Sequence, residues 1–344
     1  MFRELESCYF IAEAASNHGG HLDTAREMVK DYAKAGANAV KFQAWHIDDF
    51  YHKSSPDYEK MKALEIKEDW LPVLYQDCLD NGVDFLCTPF DLRYVVLLAE
   101  LKVKAIKVAS GDLAYYPLLA KINQTRLPVL LSTGIANIDK IYAALRYLED
   151  SPEVVLMHCV AAYPAPDNDA NLRCLTTLGH YFPGRLLGLS DHWEGIEASM
   201  AAYVLGAKVI EKHVLGRQQV GSYRPGELSP SEFSKLVQEI ALLEKLLGKP
   251  EKRVAASEYP ALLTGQRGLY AARDIKQREK ISTDKDIRFL RPAINKSTHF
   301  HCGEGLKTPA EFKALSDITE GAPLTTANIV PAPPKLRQVR EVVI

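Results

Sequence analysis

The chain has 344 residues, of which 47% are hydrophobic and 25% charged, a composition typical of a globular protein with a sizeable core. Its net charge of −2, without any basic block, argues against a nucleic-acid ligand and against binding to an anionic membrane. No apolar run reaches the roughly 20 residues that span a bilayer. We expect no secretory signal in the N-terminal segment, and six cysteines without CxxC spacing indicate reduced thiols and a cytoplasmic protein.

Short apolar runs alternate with amphipathic stretches as far as residue 248. Eight runs predict buried strands, at residues 8–15, 39–43, 83–87, 104–108, 128–132, 154–158, 186–190 and 208–213. Stretches between them, such as 24–36, have apolar residues at helical spacing. Continuously apolar strands are typical of a parallel sheet covered by helices, and eight such units predict a closed (β/α)₈ TIM barrel over residues 1–248. The alternative is an open doubly wound sheet, which usually has fewer units and a G-x-G-x-x-G motif that is not found here.

The remainder of the chain has a different pattern. Residues 249–267 show no clear periodicity and predict a linker. Residues 268–334 hold short β-like runs between charged turns, and two of these segments, 272–287 and 315–329, resemble each other. They predict a small β-rich domain, followed by a peripheral tail at 335–344.

Polar residues follow most of the predicted barrel strands. Because the carboxyl ends of barrel strands and the loops after them build the active site, we expect these side chains to converge. Any one buried charge is equally well explained by a salt bridge in the core, but a chance arrangement at so many strand ends is improbable. The residues concerned are Glu13, Lys41, Gln43, Thr88, Lys107, Ser110, Asp112, Ser132, Tyr163, Ser190, Asp191, His192, Glu211, Lys212 and His213.

Two histidines at neighbouring strand ends, His192 and His213, are the candidate metal ligands. Each lies near a carboxylate in the sequence, Asp191 or Glu211, that would orient the imidazole. The alternative is that one is an ordinary hydrogen-bonded histidine, since no HExxH-type pattern fixes the site. His158, inside the run VVLMHCV, is interpreted as structural.

A second group of strand-end residues predicts an anion site. Lys41 and Lys107 supply positive charge, and Ser110, Ser132 and Ser190 supply hydroxyls near backbone N–H groups at helix starts. Helix capping or a tight turn is the alternative role for any one of these serines. Together with the two lysines they favour a ligand that carries phosphate, or phosphate and carboxylate.

The ordered motifs IAEAASNHGG, AVKFQ, DFLCTPFD, IKVASGD, LPVLLSTG, HCVAAYPAP, GLSDH and VIEKH resemble those of the sialic acid (N-acetylneuraminate) synthase family. The resemblance covers the whole barrel and continues into residues 273–292, which are similar to that family's C-terminal SAF, or antifreeze-like, domain. It implies a TIM barrel that condenses phosphoenolpyruvate with an N-acylated aldose to give a nine-carbon 2-keto acid and phosphate. It also implies a divalent metal, Mn²⁺ or Mg²⁺.

The resemblance further implies a role for each motif residue. His192 and His213 would bind the metal, and Glu13 would orient or deprotonate the water that adds to the substrate. Arg291, from the antifreeze-like domain of a partner subunit, would reach the sugar's N-acyl group, which implies a domain-swapped homodimer. Phosphoenolpyruvate would be held by Lys41, Lys107, Ser110, Ser132 and Ser190, and the pocket around both substrates would be shaped by Gln43, Thr88, Asp112 and Tyr163.

Three positions depart from the family pattern. Tyr223 stands where the family has an aspartate that binds the sugar, and Ala161 replaces a serine or asparagine that helps to hold phosphate. The family's RPG is Arg291-Pro292-Ala293 here. These departures predict an altered acceptor, N-acetylmannosamine-like or a 2,4-diacetamido hexose. Two alternatives stay open: an enzyme that joins phosphoenolpyruvate to a different, phosphorylated aldose, and a non-catalytic paralogue that binds sugar or phosphoenolpyruvate.

Overall fold

The computed structural model describes residues 2–216, 226–291 and 311–331. The chain divides into two compact units, Met1–Gly248 and Lys249–Ile344. In the first unit eight parallel strands form a closed barrel in chain order, with the last strand paired to the first, which confirms the predicted TIM barrel. The strands are β1 (Tyr9–Ala15), β2 (Ala39–Ala44), β3 (Asp84–Pro89), β4 (Ile106–Val108), β5 (Val129–Ser132), β6 (Val154–Cys159), β7 (Leu187–Asp191) and β8 (Ala207–His213).

Helices connect the strands and cover the outside of the barrel. Side-chain caps begin several of them: Asp91 accepts hydrogen bonds from two backbone N–H groups of the helix that follows it, and Ser229 forms a capping box with Glu232. The helices are α1 (Leu22–Lys34), α2 (Ile47–Phe50), α3 (Tyr58–Lys62), α4 (Trp70–Asp80), α5 (Leu92–Glu100), α6 (Tyr116–Thr125), α7 (Ile138–Leu145), α8 (Cys174–Tyr181), α9 (Glu197–Val204) and α10 (Pro230–Leu247).

The barrel interior changes from apolar to polar along the strands. Side chains alternate between the two faces of a strand, so every second residue points inward. At the amino end of the barrel the interior is a packed apolar cluster of Phe2, Tyr9, Ile11, Ala39, Leu86, Ala105, Leu130, Val155, Met157 and Val209. Two residues further along five of these strands the side chains are polar: Glu13, Lys41, Lys107, Ser132 and Glu211. The alternation thus places a polar layer on top of an apolar base.

The loop after β1 is held in a tight conformation. Gly20 has φ +80°, and a Cβ at this position would lie 2.4 Å from the carbonyl oxygen of Ala63. The Gly20 N–H donates to Nδ1 of His18 at 3.1 Å. His18 is fully buried and packs edge-on against Trp70. Glycine at position 20 therefore lets this loop approach the backbone that follows α3.

Among its described residues, the second unit contains two small antiparallel sheets, one of three strands and one of two. The two similar segments noted in the sequence meet here, because Ile275 and Ile318 exchange backbone hydrogen bonds of 2.8 Å in each direction. Residues 249–267, predicted as a linker, contain a 3-10 turn, Ala256–Glu258, and α11 (Tyr259–Gly265). The strands are β9 (Gly268–Ala271), β10 (Lys280–Ser282), β11 (Ile287–Leu290), β12 (Glu311–Ala314) and β13 (Ile329–Pro331).

The peripheral tail predicted at 335–344 lies outside the described residues. Among the residues that are described, no helix is both long and apolar enough to cross a membrane.

Candidate active site

Strand alternation decides which of the polar strand-end residues face the barrel interior. On β7 and β8, Ser190 lies opposite Glu211 and Asp191 lies opposite Lys212. The first pair is joined inside the barrel by a hydrogen bond of 3.1 Å from Ser190 Oγ to Glu211 Oε1. The second pair lies on the outer side of the wall, where Asp191 Oδ2 accepts a hydrogen bond from Ser199 of α9.

The centre of the polar layer is a group of four buried charges: Glu13, Lys41, Lys107 and Glu211. Lys41 Nζ forms an ion pair with Glu13 and lies 3.6 Å from Glu211 Oε1. Lys107 Nζ lies 3.7 Å from that same oxygen. Each of the four residues is less than 5% exposed. Two carboxyl groups thus face two amino groups, and all four side chains are almost completely buried.

The strength of these contacts differs between the two lysines. Lys41 also donates to Thr88 Oγ1 at 3.0 Å, and the nearby carboxylates of Glu13 and Glu211 raise its pKa although burial opposes this. The hydrogen bond of Lys107, to its neighbour's carbonyl oxygen on Val108, is long at 3.4 Å, and burial lowers its pKa. Lys107 is therefore the cation with spare capacity to bind an anion.

Glu13 is the most firmly held of the carboxylates. Its Oε1 accepts hydrogen bonds from the backbone N–H of Ala15 at 3.0 Å and from Gln43 Nε2 at 2.8 Å. Across the β1–β8 pair, Glu13 lies opposite His213. The structure thus places the predicted water-activating carboxylate next to a predicted metal ligand.

Two further hydroxyl groups, those of Ser110 and Ser132, lie near the ends of β4 and β5. Ser110 Oγ accepts a hydrogen bond from the backbone N–H of Gly134 at 3.1 Å, which joins the loops after β4 and β5. Ser132 Oγ is buried and has no hydrogen-bond partner within the part of the chain that the structure describes. A buried polar atom without a partner is costly, so a ligand oxygen is a natural partner for it.

The rings of His192 and His213 lie 5.4 Å apart between centroids, and Tyr163 packs on His192 at 4.0 Å. His192 Nδ1 lies 2.8 Å from the carbonyl oxygen of Val160. Because a carbonyl only accepts, Nδ1 carries the proton and Nε2 carries the lone pair. Burial lowers the pKa of His192 to about 4, which keeps the ring neutral and able to bind a metal at neutral pH.

These two imidazoles fit an open catalytic metal site. In the described ranges, no group of three or more His, Cys, Asp and Glu side chains is arranged to hold a metal. Two protein ligands would leave the other coordination positions to water and substrate. Of the two metals that the family resemblance implies, Mn²⁺ accepts imidazole nitrogen more readily than Mg²⁺, which prefers oxygen.

The prediction that Asp191 orients His192 is wrong. His192 is oriented by a backbone carbonyl, and Asp191 contacts Lys212 instead. The reason is the strand period of two, which turns Asp191 away from the histidine that follows it. A further carboxylate near His213 is that of Glu227, with its Oε1 3.9 Å from His213 Nδ1. Glu227 follows the loop after β8, and no motif in the sequence marked it.

His158 has the structural role predicted for it, since its Nε2 lies 2.8 Å from the carbonyl oxygen of Ala170. Two further inward residues complete the region. Glu211, already predicted as a strand-end residue, contacts both lysines. Cys159, which was not predicted, lies with its Sγ 3.8 Å from His192 Nδ1. Extending the alternation of Ser190 and His192 to β6 identifies Cys159 as an inward residue.

The residues expected around the sugar are less closely grouped. Asp112 is partly buried with Oδ2 lacking a hydrogen-bond partner among the described residues, and burial raises its pKa to about 6. Tyr163 is 46% exposed beside the histidines, and Ala161 is exposed. Arg291 is an exposed residue directly after β11 in the second unit. Tyr223, Pro292 and Ala293 lie outside the described residues.

Comparison with known proteins shows which family the chain resembles. The model of the NeuB family matches residues 28–252. The chain is 40% identical over 298 residues to an uncharacterized protein of Methanocaldococcus jannaschii, covering 86% of this chain and 88% of that protein. It is 33% identical over 307 residues to the N,N'-diacetyllegionaminic acid synthase of Legionella pneumophila, which covers 83% of this chain and 86% of that protein. The crystal structure of N-acetylneuraminic acid synthetase from Leptospira borgpetersenii, in complex with citrate, aligns with a TM-score of 0.69 and 32% identity, covering 75% of this chain and 90% of that chain.

Proposed function

The chain belongs to the NeuB family and is therefore an enzyme of the synthase type, and on that premise we propose that it condenses phosphoenolpyruvate with an N-acylated aldose. The products would be a nonulosonic acid and inorganic phosphate. The observation that carries the proposal is the buried group of Lys41, Lys107, Glu13 and Glu211 beside His192 and His213. The proposal is supported because two lysines, a candidate base and two candidate metal ligands lie at one end of the barrel.

The anion half of the site suits phosphoenolpyruvate. Lys41 and Lys107 would bind its phosphate and carboxylate, because buried cations bind such groups strongly. Ser132 Oγ and the Ser110–Gly134 pair would add hydrogen bonds, and Thr88 would keep Lys41 in position through the bond already present. Ser190, now bonded to Glu211, would complete the set.

The metal half suits the aldehyde. His192 and His213 would hold Mn²⁺ or Mg²⁺, which when bound acts as a Lewis acid on the carbonyl. C3 of phosphoenolpyruvate would form the new bond to the aldehyde carbon. Water would add to C2 and lose a proton to Glu13, which Gln43 keeps oriented, and this proton would be passed on to the former aldehyde oxygen. The bond between C2 and the phosphate oxygen would then break, the C2 hydroxyl would give its proton to the departing phosphate, and C2 would become the keto carbon.

The proposal for the sugar-binding part of the site is supported by fewer side-chain contacts than the proposals for the anion and metal parts. Gln43, Asp112 and Tyr163 would line the acceptor pocket near the histidines. Arg291 would enter from a second subunit in a domain-swapped homodimer whose C-terminal unit is an SAF domain. Two acceptor types are therefore proposed, an N-acetylmannosamine-like hexose and a 2,4-diacetamido hexose. Free, mostly buried cysteines among the described residues are compatible with a cytoplasmic enzyme.

The decisive experiment measures phosphate release from phosphoenolpyruvate with Mn²⁺ and a panel of aldoses, and identifies the product by mass. The panel holds N-acetylmannosamine, its 6-phosphate and 2,4-diacetamido hexoses. Metal-dependent release with an N-acylated, unphosphorylated aldose is the expected result. Release with the phosphorylated sugar alone would indicate the alternative acceptor class, and no release with any aldose would contradict the enzyme proposal. His213→Ala should lose both Mn²⁺ binding and turnover.

A further inference from the structure

Glu211 occupies the site that the substrate anion would need. Its Oε1 lies 3.6 Å from Lys41 Nζ, 3.7 Å from Lys107 Nζ and 3.1 Å from Ser190 Oγ. All three partners belong to the group that would hold phosphoenolpyruvate. A side-chain carboxylate of this protein therefore already makes the contacts expected of a substrate oxygen.

The contacts of Glu211 are loose enough to be exchanged. Its second oxygen, Oε2, is buried and has no hydrogen-bond partner among the residues described. Glu13, in contrast, is fixed by Ala15, Gln43 and Lys41 at short distances. Of the two carboxylates in this group, Glu211 is thus the one that can move without breaking several short hydrogen bonds.

The electrostatics of the empty and occupied site differ sharply. Without substrate, two carboxylates balance two ammonium groups. A bound phosphate adds at least one further negative charge close to Glu211, in a region where charge repulsion is poorly screened. Movement of the Glu211 carboxylate away from the lysines would relieve this repulsion when the anion binds, and its return would restore the charge balance when phosphate leaves.

We propose that Glu211 is an internal competitor of phosphate: it neutralises Lys41 and Lys107 in the empty site, yields them to the substrate anion, and takes them back to release the product. This inference rests on the proposed function, because it assumes that the anion is phosphoenolpyruvate or phosphate. Glu211 acts through the lysines and is a positioning residue. Its role would be to keep a doubly cationic, buried site from retaining phosphate.

The test compares Glu211→Gln with the wild-type protein, using inorganic phosphate as the probe in calorimetry without metal or aldose. We expect phosphate to bind at least about tenfold more tightly to the variant, because the competing carboxylate is gone. In turnover assays the variant should have a lower KM for phosphoenolpyruvate, a lower kcat and a lower inhibition constant for phosphate. A structural defect alone would lower kcat without tightening phosphate binding.

Two further variants distinguish competition by Glu211 for the lysines from the general effect of removing a negative charge. Glu13→Gln removes one negative charge beside Lys41 but not the carboxylate that contacts both lysines, so its gain in phosphate affinity should be much smaller. In a protein that also carries Lys107→Met, Glu211→Gln should increase the affinity for phosphate much less than tenfold. Equal gains for both glutamate variants, or an undiminished gain without Lys107, would overturn the proposal.

The outcomes also distinguish this inference from the proposed function. If Glu211→Gln binds phosphate more tightly while no aldose supports turnover, the competitor role stands and the synthase proposal fails. If turnover occurs and phosphate affinity is unchanged or weaker in the variant, the competitor role fails and the synthase proposal stands. A phosphate-bound structure of the wild-type protein should show Glu211 Oε1 beyond ion-pair distance, about 4 Å, from Lys107 Nζ.

Discussion

Lys212 Nζ lies 2.8 Å from Asp191 Oδ1 and neither side chain is exposed, so the ends of β7 and β8 are joined by a buried ion pair on the outer side of the barrel wall. The lysine also donates to the carbonyl oxygen of Trp193, and Asp191 accepts from the Trp193 N–H at 2.9 Å. The pair thus fixes the chain on both sides of His192 and directly before His213.

Lys212→Met should lower the free energy of unfolding by about 3–5 kcal/mol, because it leaves a buried carboxylate without its cation. Adding Asp191→Asn should recover part of that loss by removing the uncompensated charge. Tryptophan fluorescence during urea unfolding reports on the barrel unit, since Trp45, Trp70 and Trp193 all lie in it. As a control, Lys104→Met removes a pair with Asp84 in which the lysine is 59% exposed, and should cost less than about 1 kcal/mol. The prediction would be contradicted if the double variant lost as much unfolding free energy as Lys212→Met and Asp191→Asn lose together as single variants.

The two lysines of the anion site should respond differently to replacement by methionine. Lys41→Met leaves Glu13 buried without its short ion pair and should destabilise the barrel by about 3–5 kcal/mol. Lys107→Met should cost clearly less, because its contacts are long and its desolvated charge is itself unfavourable. Both variants should bind inorganic phosphate more weakly. The prediction is wrong if Lys107→Met is the less stable of the two in urea unfolding.

His18 should make barrel stability depend on pH. Burial lowers its pKa to about 4 in the folded protein, whereas an unfolded histidine titrates near 6.5. Its stabilising contribution is therefore complete above about pH 6.5 and is lost as the pH falls towards 4, by up to about 1.4 kcal/mol per pH unit. The stability of the wild-type protein relative to His18→Gln should decline over that interval. The contribution of His192 is the same in both proteins and cancels. A constant difference would therefore show that folding does not shift the pKa of His18, and would contradict the prediction.

Gly20 and Gly82 offer a matched test of backbone proximity. Both have positive φ, +80° and +71°, but a Cβ would meet the Ala63 carbonyl oxygen only at Gly20, while nothing lies within 4 Å of one at Gly82. Both alanine variants should lose about 1 kcal/mol from conformation alone. Gly20→Ala should lower the free energy of unfolding further and should also shift the loop after β1. Equal destabilisation of the two variants in thermal unfolding would mean that this loop moves away from the Ala63 carbonyl oxygen at no cost in free energy.

Most of the barrel could be predicted from the sequence because apolar periodicity is a local property. The predicted strand 208–213 differs from β8 by one residue, and the inward positions follow from alternation. Alternation also turns the middle residues of the runs Ser190-Asp191-His192 and Glu211-Lys212-His213 outward, but it does not predict that Asp191 and Lys212 form an ion pair, which depends on the register of β7 with β8. Glu227 could not be predicted, since its approach to His213 depends on how the chain returns at Leu228 to pair with Val214.

The pairing of β1 with β8 determines how long the first strand must wait for its partner during synthesis of the chain. Glu13 and His213 are neighbours across that pair but lie 200 residues apart in the chain. At ribosomal rates of about 5–20 residues per second, the first strand would wait about 10–40 s for its partner. During synthesis the apolar edge of β1 is therefore exposed, and protection of nascent chains by a chaperone should matter more for this barrel than for a fold built from local contacts.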